Sequence, residues 1–245
     1  RTDGGGPDTP FSARTLTQNF LQIALFNEYR LGAALSGPRG GSSPLRRWQT
    51  PVRATVIESA TTPPAQRAQD TADVGRYLAR LSQVTGYPID VTDGGRANFY
   101  VFIVDEDDRR ALGPQLRALV PGISEQGIAA ITHLPRDIQC LVVAFSEQGS
   151  HVTTRAIAII RAEHPDLLRR SCIHEELAQG LGLANDSPAA RPSIFNDDEE
   201  FALLTRHDEL LLTMLYDPRL APGMTLEAVA PIANTIAREF FAGAS

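Results

Sequence analysis

The sequence lacks the features that mark membrane spans and nucleic-acid binding. None of its apolar runs approaches the roughly 20 residues that a helix needs to cross the hydrocarbon core of a bilayer. It also has no cluster of basic residues, because 23 Lys and Arg are spread among 29 Asp and Glu, giving a net charge of -6. Nucleic-acid binding depends on concentrated positive charge, so we expect no nucleic-acid partner and no transmembrane segment.

Cysteine is equally scarce, with only Cys140 and Cys172 present. Each lies at the edge of an apolar segment and could be a buried free thiol, since free cysteine behaves as a small apolar residue. In an oxidising compartment the two would instead form a disulfide. The chain opens on Arg1 and a flexible run of polar residues and glycines, without an initiator methionine, which is typical of a processed protein. We therefore expect an exported protein, periplasmic or secreted, and favour the disulfide.

The chain is long enough for one sizeable domain with an N-terminal appendage. In the appendage, residues 1–46, Ser12 or Thr15 can cap a helix. A linker rich in Gly, Pro and Ser follows this helix. The main domain then occupies residues 47–245, so we expect a helical arm that packs on a larger body.

Patterns in the main domain predict an α+β fold with a mixed, twisted sheet and long helices. Pro63 and Pro64 begin a helix that ends before Gly86. Its expected buried stripe is Val74, Tyr77, Leu78 and Leu81. Short apolar runs rich in β-branched and aromatic residues predict strands, two of which form a hairpin across a polar turn. In chain order the predicted elements are a strand at 51–57, a helix at 65–84, a strand at 98–104, a helix at 105–119, strands at 140–145 and 153–161, and a helix at 171–181.

The most informative stretch begins within the helix predicted at 171–181. Residues 175–186 have the sequence EELAQGLGLAND. This run keeps the spacing of the zinc-binding sequence H-E-x-x-H-x-x-G-x-x-H but replaces all of its histidines. Glu176 takes the position of the catalytic glutamate, and Gly182 that of the glycine at which the chain leaves the helix. The ligand positions fall on Glu175, Gln179 and Asn185. A register that starts at His174 contains a true His-Glu pair but fails at the glycine and at both later ligands.

A second match follows in the sequence Ser193-Ile194-Phe195-Asn196. It stands where many metzincins carry a Met-turn, with Phe195 in place of the methionine. The segment from Leu204 to Tyr216 is similar to their closing helix. On these motifs the chain resembles an uncharacterised family of exported bacterial proteins related to metzincin metallopeptidases. The resemblance implies a zincin-like fold, with an upper part that ends near residue 182 and a small helical lower part at 183–245.

The resemblance also implies roles for the residues of the first motif. In a working zincin, two ligands at positions i and i+4 project from one helix face, and the glutamate between them activates a metal-bound water. Glu176 would be this general base, and Gly182 and Phe195 would be structural. The metal ligands would be Glu175, Gln179 and Asn185.

Other polar side chains lie close enough in sequence to join such a site. Asp186 and His174 are candidate ligands, and Asn196 and Asp197 could add oxygen atoms from the following loop. An oxygen-rich set suits calcium or magnesium better than zinc, which favours nitrogen and sulfur. We therefore expect no zinc in the standard geometry, and most simply no bound metal.

Two functions of different classes fit these residues. The first is a pseudoenzyme that lacks standard zinc-peptidase activity and uses its cleft to bind a protein or peptide. The second is an active metallopeptidase, or another hydrolase, with an unusual oxygen-rich metal site and Glu176 as general base. The residues leave both open, and the binding protein is our leading hypothesis.

Overall fold

The computed structural model describes residues 1–26, 41–147, 149–196 and 200–242. Within these residues it contains eight α-helices and six β-strands. The helices are α1 (Ala13–Ala24), α2 (Pro64–Thr85), α3 (Glu106–Ala111), α4 (Gly113–Leu119), α5 (Glu125–Thr132), α6 (Asp166–Gly180), α7 (Arg206–Leu215) and α8 (Leu226–Ala242). The strands are β1 (Arg47–Trp48), β2 (Val52–Glu58), β3 (Ile89–Val91), β4 (Phe99–Val104), β5 (Cys140–Ser146) and β6 (Val152–Arg161).

The strands form one mixed sheet in the order β1-β6-β4-β2-β3. Neighbours along this path are parallel, whereas β5 pairs antiparallel with β6. This antiparallel pair is the hairpin predicted from the sequence, and Leu141 lies opposite Ile159 in its register. The predicted α+β class therefore agrees with the structure.

Helices cover both faces of the sheet, so every residue of β4 is buried. Phe99, Val101 and Ile103 belong to a large core that also contains apolar residues of α1, α2, α6, α7 and α8. Tyr100 and Phe102 belong to a smaller core with residues of α4 and α5. This division follows from the two-residue period of a strand, and burial on both faces explains why β4 is an unbroken apolar run.

Helix α2 confirms its prediction closely. It begins at Pro64 and ends at Thr85, and the following Gly86 adopts a left-handed φ of 63°. The four residues of the predicted stripe, Val74, Tyr77, Leu78 and Leu81, are all buried. Among the described residues, no helix has both the length and the hydropathy needed to span a bilayer.

Helix α1 packs into the large core. Ser12 caps its start, and Ser12 and Thr15 form a reciprocal capping box. Leu16, Phe20 and Ile23 are fully buried in the same cluster as residues of α6 and α7. The predicted arm at 1–46 therefore shares a core with the body at 47–245.

The smaller core contains the main departures from the predicted elements. One helix was expected up to Leu119, but α3 ends at Ala111 and α4 starts at Gly113, with Pro114 in its first turn. Proline lacks the backbone N–H of a continuing helix and clashes with the preceding turn, so the chain restarts there. The short helix α5 was also not predicted, and neither were the short strands β1 and β3 elsewhere in the sheet.

Candidate functional site

Helix α6 carries the predicted site and is anchored near its start. It begins at Asp166, earlier than the predicted start at Ser171. Nε of Arg169 donates to both carboxylate oxygens of Asp70 on α2, each at 2.8 Å. Both side chains are buried, so this ion pair fixes α6 against α2.

The end of α6 is held by two side chains that donate to its last carbonyl groups. The indole nitrogen of Trp48 donates to the carbonyl oxygen of Gly180 at 2.9 Å. The hydroxyl of Tyr216 donates to the carbonyl oxygen of Leu181 at 3.0 Å. These bonds satisfy two of the carbonyl groups that a helix end leaves without an intrahelical partner.

Gly182 leaves the helix with a φ of 130°, a conformation that side-chain-bearing residues rarely adopt. A Cβ atom at this position would also overlap the carbonyl oxygen of Arg46. Gly180 has a different reason to be glycine, because a Cβ atom there would overlap the ring of Phe99. The glycine of the predicted register thus lies where the chain must turn sharply and approach another backbone.

Cys140 on β5 and Cys172 on α6 form a disulfide, with an S–S distance of 2.06 Å and a Cα–Cα distance of 5.8 Å. It links the antiparallel strand of the sheet to α6, just before the glutamate pair. Candidate ligand atoms of Cys140, Glu175 and Glu176 all lie within 4.8 Å of one another. Glu175 is partly buried, and Glu176 is 4% exposed.

The amides at the second and third ligand positions take part in hydrogen bonds within the protein. Nε2 of Gln179 donates to the Asp186 carboxylate at 3.0 Å. Nδ2 of Asn185 donates to the backbone carbonyl oxygen of Gln22 on α1, also at 3.0 Å. Gln179 and Asn185 are 7% and 4% exposed. The two amides therefore join α6 to the loop that follows it and that loop to α1.

His174 lies outside the group formed by Glu175 and Glu176. Its ring stacks on Tyr77 of α2 at a centroid distance of 3.9 Å. Its Nδ1 accepts the backbone N–H of Leu204 at 3.0 Å. Burial, helped by the positive charge of Arg170, lowers the pKa of His174 to about 4. The imidazole is therefore neutral at physiological pH and packs between α2 and the segment before α7.

Phe195 is fully buried in the large core, together with Ile173 and Leu177 of α6. Its carbonyl oxygen accepts the backbone N–H of Ser187 at 2.8 Å. Its backbone N–H donates to the hydroxyl of Ser193 at 3.0 Å. Phe195 therefore contributes to the same large core as α6. Asn196 donates to a nearby backbone carbonyl oxygen, and Asp197 lies outside the described residues.

The buried carboxylate of Asp208 on α7 holds the turn at 193–196. Asp208 accepts from the Ser193 hydroxyl at 2.6 Å and from the backbone N–H of Ile194 at 3.1 Å. It also forms the capping box of α7 with Thr205. The neighbouring His207 is fully buried, and its Nε2 lies 3.0 Å from the amide nitrogen of Asn19 on α1. These contacts connect the turn, α7 and α1.

A pocket between α2 and α6 was not anticipated. It has a volume of about 180 Å³ and is lined by Asp73, Arg76, Tyr77, Arg80, Arg170, Ile173 and His174. Four of these residues occupy positions i, i+3, i+4 and i+7 of α2, and Arg170 and His174 are four residues apart on α6. Helical spacing could have placed each set on one face, but it gives no sign that the two faces meet.

The donor set does not fit a zinc ion bound in the zincin manner. Among the described His, Cys, Asp and Glu residues, the group close enough to share a metal is Cys140, Glu175 and Glu176. The sulfur of Cys140 is held in the disulfide and offers no thiolate. Gln179 and Asn185 add only neutral amide oxygens. Zinc favours nitrogen and sulfur ligands, so this oxygen set suits it poorly.

Comparison with known families identifies the chain at the level of its family. A family model described as "Protein of unknown function (DUF2927)" matches residues 13–235, and the chain therefore belongs to this family. The match starts in α1 and ends in α8, so it includes the N-terminal helix as well as the sheet and α6. No curated protein matches the chain.

Proposed function

We propose that this DUF2927 protein is a metzincin-like binding protein without standard zinc-peptidase activity. In this proposal, side chains at positions that would bind a catalytic metal instead connect neighbouring segments of the protein. The observation that carries the proposal is that the buried amides of Gln179 and Asn185 both donate hydrogen bonds to neighbouring segments. Side chains at two of the three ligand positions thus join parts of the protein.

The metzincin-like fold in this proposal is supported by the order of the elements. A strand, a long helix, a buried strand, further helices, a pair of antiparallel strands and then α6 follow one another along the chain. Gly182 ends the helical segment with a positive φ, and Phe195 is buried in the same core as apolar residues of α6. These features occur at the offsets that the resemblance requires.

The loss of zinc-peptidase activity follows from the chemistry of the donors. A zincin hydrolyses a peptide by polarising a metal-bound water beside its glutamate. Here Glu176 would hold the glutamate position, but the histidine nitrogens that bind the metal are absent. Burial of both amides further requires that their polar groups remain hydrogen-bonded, because an unsatisfied buried polar group costs about 1–3 kcal/mol. The existing bonds therefore oppose rearrangement into a metal site.

Binding remains the function that this scaffold can perform. The helix is anchored by a buried ion pair, a disulfide and side-chain contacts to its last carbonyl groups. Such a rigid element presents its neighbouring surfaces in a fixed arrangement, which favours recognition. We propose a protein or peptide as the ligand class for the surface that α6 and its neighbouring segments form.

Elemental analysis of protein purified without chelators tests the proposal. We expect well under about one tenth of a zinc ion per chain and no peptide hydrolysis before or after zinc addition. Chelator treatment should leave the unfolding midpoint unchanged. The proposal fails if about one zinc is bound per chain and peptide hydrolysis is lost in Glu176→Gln. Glu125→Gln is the matched control, since Glu125 is an exposed glutamate on α5.

A second candidate function is a hydrolase with an oxygen-rich metal site. The observation that favours it is the approach of the Glu175 and Glu176 carboxylates to within 4.8 Å. Calcium or magnesium would be the metal, because both prefer oxygen ligands. Calorimetric titration with each ion separates the two candidates. Saturable binding that Glu175→Gln abolishes, together with metal-dependent hydrolysis, would favour this alternative.

A further inference from the structure

The pocket between α2 and α6 differs in chemistry from the junction at Gln179 and Asn185. Its volume of about 180 Å³ is well above the roughly 10–15 Å³ that a cavity needs to hold one water molecule. It is therefore large enough for a small ion or the charged group of a small molecule. Its polar wall consists mainly of arginine side chains, and its floor includes two stacked aromatic rings.

The pocket is positively charged although the protein as a whole is negative. Arg76, Arg80 and Arg170 line it, and Asp73 is the one carboxylate among its lining residues. Three positive charges and one negative charge leave an excess of two positive charges. Outside the lining, Glu209 pairs with both Arg80 and Arg206. The carboxylates of Glu175 and Asp208 also act on the lining residue Tyr77, so the excess of positive charge belongs to the lining itself. The whole chain, by contrast, has a net charge of -6.

The three arginines differ in how closely they contact acidic side chains. Arg76 pairs with Asp73, and Arg80 donates through two nitrogens to one carboxylate oxygen of Glu209. The Nε of Arg170 is 3.9 Å from Asp73, which is too long for a hydrogen bond. The side chains of Arg76, Arg80 and Arg170 are 65%, 50% and 44% exposed. Arg170 in particular keeps donor capacity that a ligand could use.

His174, which also lines the pocket, is held in a fixed orientation. A backbone N–H can only donate, so Nδ1 of His174 must accept the hydrogen bond from Leu204. In the neutral ring the proton is then on Nε2, which makes this atom a donor. The ring is fixed by stacking on Tyr77, whose hydroxyl donates to the backbone carbonyl oxygen of His174 at 2.8 Å.

We propose that this pocket binds a phosphate dianion, either inorganic phosphate or the phosphate group of a small monoester. A phosphate monoester carries about -1.5 to -2 charges at neutral pH, so it is attracted to the three guanidinium groups that line the pocket. The guanidinium fork pairs two donors with two oxygens of a phosphate group. All 23 basic side chains of the chain are arginine, so the pocket has this fork at each of its cationic positions. This proposal is independent of the proposed function. Among the lining residues, His174 is the one that was considered as a metal ligand, and it lies outside the group of Glu175 and Glu176.

Calorimetric titration of the full chain at constant ionic strength tests the proposal. The probes are inorganic phosphate, glycerol 3-phosphate and, as a dicarboxylate comparator, succinate. We expect saturable binding of at least one phosphate probe, and a loss of about tenfold or more in affinity for Arg170→Ala. Arg170→Lys should retain part of the affinity because it keeps the charge and loses the fork. Arg117→Ala, an exposed arginine paired with Glu125 on the other side of the sheet, should change affinity less than about twofold.

The relative affinities distinguish the two sources of phosphate. Tighter binding of glycerol 3-phosphate would identify a monoester as the ligand, whereas equal or weaker binding would identify the phosphate ion itself. Absence of saturable binding by both phosphate probes would overturn the proposal. Equal losses in Arg170→Ala and Arg117→Ala would also overturn it, because the effect would then reflect general screening. Tighter binding of succinate would reject the assignment to phosphate.

Discussion

The two faces of α6 use polar side chains in opposite ways. On one face, Gln179 is buried and its amide donates to Asp186, while Cys172 is joined to β5. On the other, Arg170 is 44% exposed beside a pocket, and its nearest carboxylate contact is 3.9 Å away. Spacing at i and i+4 occurs on both faces. Burial and hydrogen bonding, rather than spacing, therefore separate the side chains that maintain the fold from those that can meet a ligand.

The difference has an energetic basis. Buried polar groups must be hydrogen-bonded, so the amides of the first face are constrained by their partners. Exposed guanidinium groups are solvated, and surface ion pairs contribute only about 0–1 kcal/mol. Substitutions on the first face should consequently reduce stability, whereas substitutions on the second should reduce binding and leave stability nearly unchanged.

The largest expected effect on stability is at Phe195, in the turn at 193–196. Its side chain is fully buried in the large core, so Phe195→Ala removes apolar burial and leaves a cavity. We expect a loss of about 3–5 kcal/mol in the free energy of unfolding, measured with a chemical denaturant. Phe241→Ala on α8 is the matched control, since Phe241 is 37% exposed. Comparable losses in the two variants would mean that Phe195 does not contribute to this core.

The disulfide should have the next largest effect. It closes a sequence separation of 32 residues, and the chain-entropy relation gives about 3–4 kcal/mol for a loop of this length. Denaturant unfolding of Cys140→Ala/Cys172→Ala should show a loss of this order. Adding a reductant should destabilise the parent protein and leave the double variant unchanged. An unchanged parent protein under full reduction, checked by thiol counting, would contradict the prediction.

Sequence reasoning predicted the parts of the fold that depend on local patterns. The stripe of α2, the buried strand β4 and the β5–β6 hairpin all follow from periodicity, and Gly182 was recognised from its offset within the motif. The α3–α4 break was missed although Pro114 marks it, and α5 was missed because an eight-residue helix gives a weak periodic signal.

The candidate site was less predictable because it depends on contacts between distant segments. The partner of Asn185 is the carbonyl oxygen of Gln22, 163 positions away in the chain. The pocket likewise requires α2 and α6 to pack together, which places Arg76 and Arg170 on one wall. Neither contact leaves a local pattern, so sequence spacing identified possible ligands without showing that two of them were bonded elsewhere.

The next largest effect concerns how the stability of the protein depends on pH, through His174 on α6. Its folded pKa of about 4 lies below the ordinary value of 6.5, so the unfolded chain binds the proton more readily. Stability from this residue is therefore fully present above about pH 6.5 and declines as the pH falls towards 4. In His174→Gln, we expect about 2–3 kcal/mol of the stability that the parent protein loses at acid pH to be retained.

Denaturant unfolding as a function of pH tests this expectation. A profile for His174→Gln that is parallel to that of the parent protein would contradict it. The carboxylate of Asp73 and the cation of Arg170 also influence the ring, the first favouring and the second opposing its protonation. The larger contribution is burial, so Arg170→Ala should alter the profile less than His174→Gln does.

A smaller effect is expected at the junction with α1. Asn185→Ala removes the donor to the backbone carbonyl oxygen of Gln22, and the loss of this hydrogen bond should cost about 0.5–1.5 kcal/mol. Hydrogen exchange should accelerate in α1 more than in α2, because the lost bond anchors α1 to the loop after α6. Asn234→Ala, at an exposed position of α8, is the control. Equal acceleration in both helices would show only a global loss of stability.

The smallest expected change in stability is at Arg170, and it tests the comparison most directly. Its side chain is 44% exposed, and its ion pair with Asp73 spans 3.9 Å, so Arg170→Ala should change the free energy of unfolding by less than about 0.5 kcal/mol. The same variant should lose about tenfold or more in phosphate affinity. Asn185→Ala should show the reverse, with lower stability and phosphate affinity within about twofold of the parent protein at a temperature where both are folded. If Arg170→Ala instead unfolds the protein, or if Asn185→Ala weakens phosphate binding as strongly, the two faces of α6 do not have separate roles.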